Sequence, residues 1–375
     1  MKTVELSEVC ELITDGTHYT PPNVGIGMPF LTVTNMTKTG LDFKSCSRIS
    51  TEEFIKAKLG NNSPKCGDLL FSKDGTVGKL WVVAQEEEFA VLSSIAIVRP
   101  ISTEIDVNYL KHYLSTKKAV GDLDRKKTGS ALRRVILKDL KILKIPLPPL
   151  HEQKRIAAIL DQADALRQKR QQALDHLNQL GQSIFYEMFG DPNTNPKGWV
   201  FRPLGELARN RDGDRVPLKK ADRSKRNGAY PYYGASGVID NIDDHLFDGE
   251  YLLLGEDGAN LLARSSAIAF IAQGKFWVNN HAHVLEANGK ASLEFIRAFI
   301  ESIDLTRYVT GSAQPKLNQK QLNRIPIFCP PMELQEKFEG ILDHLQVQKN
   351  VVKNDLEKLD TLFASLQQRA FKGEL

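Results

Sequence analysis

Few residues in this chain have the types and spacing that chemistry requires. His281 and His283 stand two apart in Val278-Asn279-Asn280-His281-Ala282-His283-Val284, which puts both side chains on one face of a strand. As metal ligands they need a third partner that the sequence does not identify, so structural strand histidines are expected. Glu256-Asp257-Gly258 has the composition of half a metal-carboxylate site but reads first as a turn. His18, in Asp15-Gly16-Thr17-His18, suits acid–base work; with no visible partner, hydrogen bonding inside a loop is the plainer role. Lys73-Asp74-Gly75-Thr76-Val77-Gly78-Lys79 superficially resembles a phosphate-binding loop. It lacks the GxxxxGK[ST] spacing and no helical pattern follows, which leaves a hairpin connection. No GxSxG, HExxH or Walker A sequence occurs. The Asn-Pro-Pro-aromatic signature of adenine methyltransferases is also missing, since Asn195-Pro196 runs on into Lys197. The chain reads as a binder, with no catalytic residue, metal or cofactor expected on it.

Binding chemistry is easier to find. Arg125, Lys126, Lys127, Arg133 and Arg134 surround a Gly-Ser turn that includes Ser130, five basic residues in ten. Such a loop can lay cationic heads and backbone N–H groups along a phosphate backbone. A second cluster, Lys219, Lys220, Arg223, Lys225 and Arg226, is followed by Tyr230, Tyr232, Tyr233 and Ser236 in a glycine-containing loop. Aromatics beside basic residues supply stacking and hydroxyl donors to nucleic acid. Thr17, His18, Lys73 and Thr76 in the first half, and Ser312, Gln314 and Lys316 in the second, complete the candidate contacts. A formal charge of +4 and a pI near 8.7 do not prove such a partner, so charge placement carries the argument.

The elements that must position these residues are organised around a repeat. The stretch from Pro148 to Phe189 recurs from Pro330 to Phe371; adding 182 to a number in the first gives its partner in the second without a gap. Identities include Pro148/Pro330, Gln153/Gln335, Leu160/Leu342, Asp161/Asp343, Leu174/Leu356 and Phe189/Phe371, and Thr-Gly-Ser-Ala recurs at 128–131 and 310–313 in the same register. A heptad-like apolar stripe runs Ile156, Leu160, Ala163, Leu174, Leu177, Ile184, Met188 in the first copy, interrupted at Arg167, Arg170 and Gly181. In the second it runs Phe338, Leu342, Leu345, Val352, Leu356, Leu359, Phe363, Leu366, Ala370, broken only at Lys349. The period predicts two long helices packed lengthwise, each of about 38 residues and ~57 Å at ~1.5 Å per residue. Gly190-Asp191-Pro192 ends the first.

A block precedes each helix, and the two blocks share a frame but differ in their loops. Phe30–Val33, Leu69–Phe71, Leu80–Val83 and Ser94–Val98 read as strands in the first block, and Val107–Tyr113 as a helix start. Tyr251–Leu254 and Ala267–Ile271 read as strands in the second. Leu204-Gly205-Glu206-Leu207 echoes Leu6-Ser7-Glu8-Val9, and Gly249-Glu250-Tyr251-Leu252-Leu253-Leu254 parallels Gly67-Asp68-Leu69-Leu70-Phe71. The expected division is a first globular domain at 1–147, a helix at 148–190, a second domain at 191–329 and a second helix at 330–375. The fold class is α+β. Four scattered cysteines with no CxxC argue against a zinc site or disulfide framework and fit a reducing cytoplasm. No apolar run is long enough to span a membrane, and the charged first dozen residues do not read as a signal peptide.

Several segments together resemble one family, the specificity subunit of type I restriction-modification systems. They are Ile145-Pro146-Leu147-Pro148-Pro149-Leu150-His151-Glu152-Gln153, Thr310-Gly311-Ser312-Ala313-Gln314-Pro315-Lys316-Leu317, Asp15-Gly16-Thr17-His18, Tyr232-Tyr233-Gly234-Ala235-Ser236-Gly237 and Ala370-Phe371-Lys372-Gly373-Glu374-Leu375. The likeness covers essentially the whole chain in order. Departures are Ile327-Phe328-Cys329-Pro330-Pro331-Met332 in place of IPLPPL, and Leu132-Arg133-Arg134 where Gln and Lys are usual. The resemblance implies two target-recognition domains, each reading half of a split double-stranded DNA target. The helices would form an antiparallel coiled coil that spaces them. It also implies docking of two modification subunits and, in the full complex, two restriction subunits. S-adenosylmethionine, ATP and magnesium would be used there. Two blocks that differ in their loops imply an asymmetric target. A coiled-coil adaptor that binds only proteins and a metal-dependent nuclease built on Glu256 and Asp257 are the competing classes.

Overall fold

A computed structural model of the chain describes residues 2–37, 39–84, 86–124, 135–311 and 314–375. Its contacts divide the chain into two compact units, Met1–Gln171 with Asn354–Leu375, and Gln172–Lys353. Both long helices form, over Leu150–Phe189 and Met332–Lys372. Each starts just after its proline pair. The Pro149 carbonyl accepts from Gln153 N–H at 3.1 Å, and that of Pro331 from Gln335 N–H at 3.2 Å. Proline's missing donor costs nothing at such a start. Gly190, at φ +87°, closes the first helix in the left-handed conformation that glycine tolerates best. The expected division at 147, 190 and 329 differs from the one the contacts give. Each helix is shared, and each unit takes part of both into its own core.

Within each unit the helical segments run antiparallel. In the first unit Ile156 and Leu160 join a core that includes Ala370, with Phe363 and Leu366 packed against it. In the second, Phe185 and Phe189 pack on Phe338, with Ile184, Met188 and Leu342 against that core. Val352 is buried, while Leu174, Leu177, Leu345, Leu356 and Leu359 are half-buried, so the predicted stripes are the packed faces. The two arginines that interrupt the first stripe have partners on that face. Arg167 reaches Asp360 at 2.6 Å and lies 4.5 Å over the Phe363 ring, and Arg170 lies 3.5 Å from Asp355.

The first unit carries a four-stranded antiparallel sheet in the order Cys10–Asp15, Ile95–Pro100, Leu69–Ser72, Leu80–Val82. A three-stranded sheet of Ser47–Ile49, Met28–Leu31 and Ala90–Val91 accompanies it. The second unit has one six-stranded sheet. Its first four strands, Ala208–Asn210, Ala282–Ala287, Phe247–Gly255 and Ala269–Val278, repeat the order of the first unit's four. Asn227–Gly234 and Gly237–Ile242 then extend it. Each unit also pairs its opening strand with the strand before a long helix, Thr3–Glu5 with Lys144–Pro146 and Phe201–Pro203 with Pro326–Phe328. A helix packs under each sheet, Val107–Leu114 in one and Leu293–Ser302 in the other. The chain is α+β, with two copies of one frame.

Candidate nucleic-acid interface

In the first unit, the strand Cys10–Asp15 runs into Gly16-Thr17-His18. Gly16 is required here, because a Cβ would lie 2.1 Å from the Val91 carbonyl oxygen. Thr17 is buried, with its N–H on Val91 O at 2.9 Å and its hydroxyl on Tyr19 O at 2.9 Å. His18 has a solvent-facing side chain, 75% exposed, 3.7 Å from Asp15. Lys73 corrects the expectation of a phosphate contact. Its side chain is 3% exposed and lies 3.2 Å from Asp15, so its charge is spent inside the fold. Burial raises the Asp15 carboxyl above its usual range, against the pull of Lys73 and His18. Thr76 is exposed at the predicted hairpin turn, where its carbonyl accepts from the Ser72 hydroxyl at 2.6 Å.

In the second unit the basic cluster separates into two kinds of cation. Lys219, Lys220 and Lys225 are exposed and have no acidic partner among the described residues. Arg223 is tied to Asp240 at 3.1 Å and lies 4.8 Å over the Tyr232 ring. Arg226 is tied to Asp243 at 2.8 Å and lies 5.1 Å over Trp277. The tyrosines separate too. Tyr232 corrects the expectation of a stacking surface: it is fully buried, and its hydroxyl accepts from Leu218 N–H at 2.9 Å. Tyr233 is half-buried against Phe270 and Phe276, and Tyr230 packs at a tilt against His245. Ser236 is exposed beside Val238 and Ile239, whose side chains are also exposed. Gln314 and Lys316 are exposed, with Lys316 Nζ 3.2 Å from Glu256. Arg125, Lys126, Lys127, Ser130, Arg133, Arg134 and Ser312 lie outside the described residues.

The shared frame places a buried charge cluster at the same point of each unit, which sequence reasoning missed. Asp15-Gly16 lies at the end of the first strand of the four in one unit, and Asp212-Gly213 just past it in the other. Lys73-Asp74-Gly75 and Glu256-Asp257-Gly258 both follow the third. Val135 N–H bonds Lys73 O at 2.8 Å, and Leu317 N–H bonds Glu256 O at the same distance. In the second unit the ligating atoms of Asp212, Glu256 and His283 lie within 4.8 Å of one another. Their composition suits a metal, but Arg215 already bonds Glu256 at 2.8 Å and stands 3.5 Å from Asp212. His283 bridges Asp212 at 2.6 Å and Leu317 O at 2.7 Å, one acceptor at each ring nitrogen. Burial would raise Asp212, but the His283 bond, the Val284 N–H and Arg215 together hold it below the usual carboxylate range. His281 faces Asp257 at 2.8 Å. The repeated Asp-Gly dipeptides and the Lys/Glu-Asp-Gly turns were the available signal.

The family profile of the type I restriction modification DNA specificity domain matches residues 1–176 and again 196–361. A putative type I restriction enzyme specificity subunit of Haemophilus influenzae is 34% identical over 145 residues, a match that spans 39% of this chain and 37% of that relative's length. A putative type I restriction enzyme specificity subunit of Methanocaldococcus jannaschii is 23% identical over 94% of this chain and 89% of its own. The crystal structure of an S subunit of a type I restriction-modification system from M. genitalium aligns over 99% of this chain and 96% of its own. It does so with a TM-score of 0.61 at 16% identity, a likeness of fold alone.

Proposed function

Because this chain belongs to the family of type I restriction modification DNA specificity domains, we propose that it reads a two-part, asymmetric sequence in double-stranded DNA for a restriction-modification complex. One observation carries the reading: two units repeat one four-strand frame, with matching backbone bonds, while carrying different loops. A repeated frame gives each block an equivalent way to sit on a duplex, and different loops give each a different base sequence to read. The exposed cations Lys219, Lys220, Lys225 and Lys316 are suited to phosphates, which fix register while side chains in the grooves specify sequence.

In this reading the long helices space the two blocks and dock two modification subunits, joined in the full complex by two restriction subunits. Methyl transfer from S-adenosylmethionine, on an adenine turned out of the duplex, belongs to the modification subunits, and ATP- and magnesium-dependent cleavage to the restriction subunits. The chain itself supplies recognition and no catalysis, in the cytoplasm. Glu256 and Asp257 are already committed to Arg215, Lys316 and His281, which weighs against a nuclease centre there.

The test is selection from random-sequence duplexes by this chain co-purified with its modification subunit, across a salt series. A two-part sequence with a fixed gap is expected, and exchanging residues 1–140 for those of a relative should change one half only. Tight complex formation with no sequence selected at any salt would leave a protein-only adaptor instead.

A further inference from the structure

Glu256 makes four polar contacts, two of them to one short strip of chain, Gln314–Leu317. Its Oε2 accepts from Arg215 at 2.8 Å, and its Oε1 lies 3.2 Å from Lys316 Nζ. Its backbone N–H donates to His281 O at 2.8 Å, and its carbonyl accepts from Leu317 N–H at 2.8 Å. The strip is held at its other polar points too. Gly258 N–H donates to Pro315 O at 2.9 Å, His283 Nε2 donates to Leu317 O at 2.7 Å, and Thr310 and Lys316 exchange both backbone bonds at 2.8 Å. Burial differs sharply across this set. Glu256 and Arg215 are 12% and 13% exposed and His283 only 1%, whereas the Lys316 side chain is 51% exposed. A buried, hydrogen-bonded cluster therefore ends in one cation at the surface, with Gln314 exposed beside it.

The geometry points to Glu256 as a positioning residue for DNA recognition: it holds the Gln314–Leu317 strip and aims the Lys316 ammonium at the half-site read by the second block. This deepens the DNA reading proposed above and rests on it. A lysine head on a flexible stem loses rotamer freedom when it settles on a phosphate; a carboxylate that already orients it removes part of that cost and fixes the register in which the second block's loops meet their bases. Arg215 makes the arrangement stable, because its guanidinium fixes one carboxylate oxygen of Glu256 while the other remains for Lys316. The first unit carries Lys73 at the equivalent turn, bonded to Asp15 instead. Among the described residues this device occurs in the second block, and its loss should be felt at that block's half-site.

The experiment uses the full chain with its modification subunit, on duplexes altered in one half or the other, the halves assigned by the block exchange. Amide hydrogen exchange at Lys316 and Leu317 is read in parallel. Glu256→Gln should speed exchange at these two amides and cut discrimination at the second half-site on the order of tenfold, with the first half unchanged. Lys316→Gln, which leaves the buried cluster intact, should cost a similar factor at the second half and lower the salt slope by about 0.9. Unchanged exchange in Glu256→Gln overturns the clamp whatever the DNA result. Faster exchange with full discrimination at the second half, or equal loss at both halves, overturns the positioning role. If Glu256→Gln does not fold, undiminished second-half binding by Lys316→Gln overturns it. Failure of the wild-type complex to select any sequence sinks the DNA reading, and the positioning role with it, while exchange still reports on the clamp.

Discussion

Gln153, buried in the first long helix, accepts the backbone N–H of Asp106 through its side-chain carbonyl at 2.9 Å. Asp106 is the N-cap of the helix Val107–Leu114. Gln335, its partner in the repeat, accepts Ser292 N–H at 3.0 Å, and Ser292 caps Leu293–Ser302. Each glutamine also donates to the carbonyl of its own proline pair, Pro148 or Pro330, at 2.9 Å. One amide thus ties each long helix to the short helix beneath its sheet, in both units. Alanine at either position leaves a buried donor and acceptor unmatched, at an expected cost of about 1–3 kcal/mol. Urea unfolding of Gln153→Ala and Gln335→Ala should show that loss for each; a loss under about 0.5 kcal/mol would mean that water replaces the amide.

The paired glutamines also show what was legible in the sequence. Both were visible as identities in an ungapped repeat, and the helices and their packed faces followed from a period that only long amphipathic helices produce. The helix limits were legible because proline and glycine act locally. The division into units was not, because which core a helical segment enters depends on contacts far away in sequence. Lys73 and Tyr232 illustrate the same limit. Their types suit a surface, yet Asp15 and the Leu218 backbone draw them inside. Arg223 and Lys219 are neighbours in one basic cluster, and only the fold shows that one is paired and that the other has no acidic partner among the described residues.

His112 gives a pH dependence with a definite sign. It is buried and 2.8 Å from Asp161. Burial holds its imidazole below the ordinary histidine value, although the Asp161 hydrogen bond works the other way. The unfolded chain therefore binds a proton at His112 near pH 6.5 that the folded unit resists. Its contribution is fully present above that value and is lost as pH falls from the unfolded value towards the folded one. Melting at pH 7.5 and 5.5 should show a larger drop for wild type than for His112→Gln. Equal drops would place a charged imidazole in the folded state.

Gly181 interrupts the stripe of the first long helix without an evident need for glycine. An added Cβ would meet only the Leu342 Cδ2 atom, at 3.3 Å, the free end of a half-buried side chain. Leu342 can yield a few tenths of an ångström, and alanine gains up to about 1 kcal/mol of helix propensity over glycine. Gly181→Ala should raise stability by about 0.5–1 kcal/mol in urea. A loss of that size would show that Leu342 is fixed and that the close approach is needed.

The two kinds of cation in the second unit predict two kinds of defect. Lys219, Lys220 and Lys225 are exposed and lack acidic partners among the described residues, so nothing in the fold depends on their charge. If they meet phosphates, each one removed releases one fewer counterion, and the slope of log K against log salt should fall in magnitude by about 0.9 per lysine. Affinity should drop alike on specific and non-specific duplexes, with melting unchanged. Arg223 and Arg226 are committed to Asp240 and Asp243 and lie over Tyr232 and Trp277. Replacing either by glutamine leaves the carboxylate without its cation and the ring uncovered, so local stability should fall while the slope stays close to wild type. Measuring slope and melting temperature on the five single variants separates the groups. A slope change from Arg223→Gln equal to that from Lys219→Gln would show that DNA draws the arginine away from its internal partners.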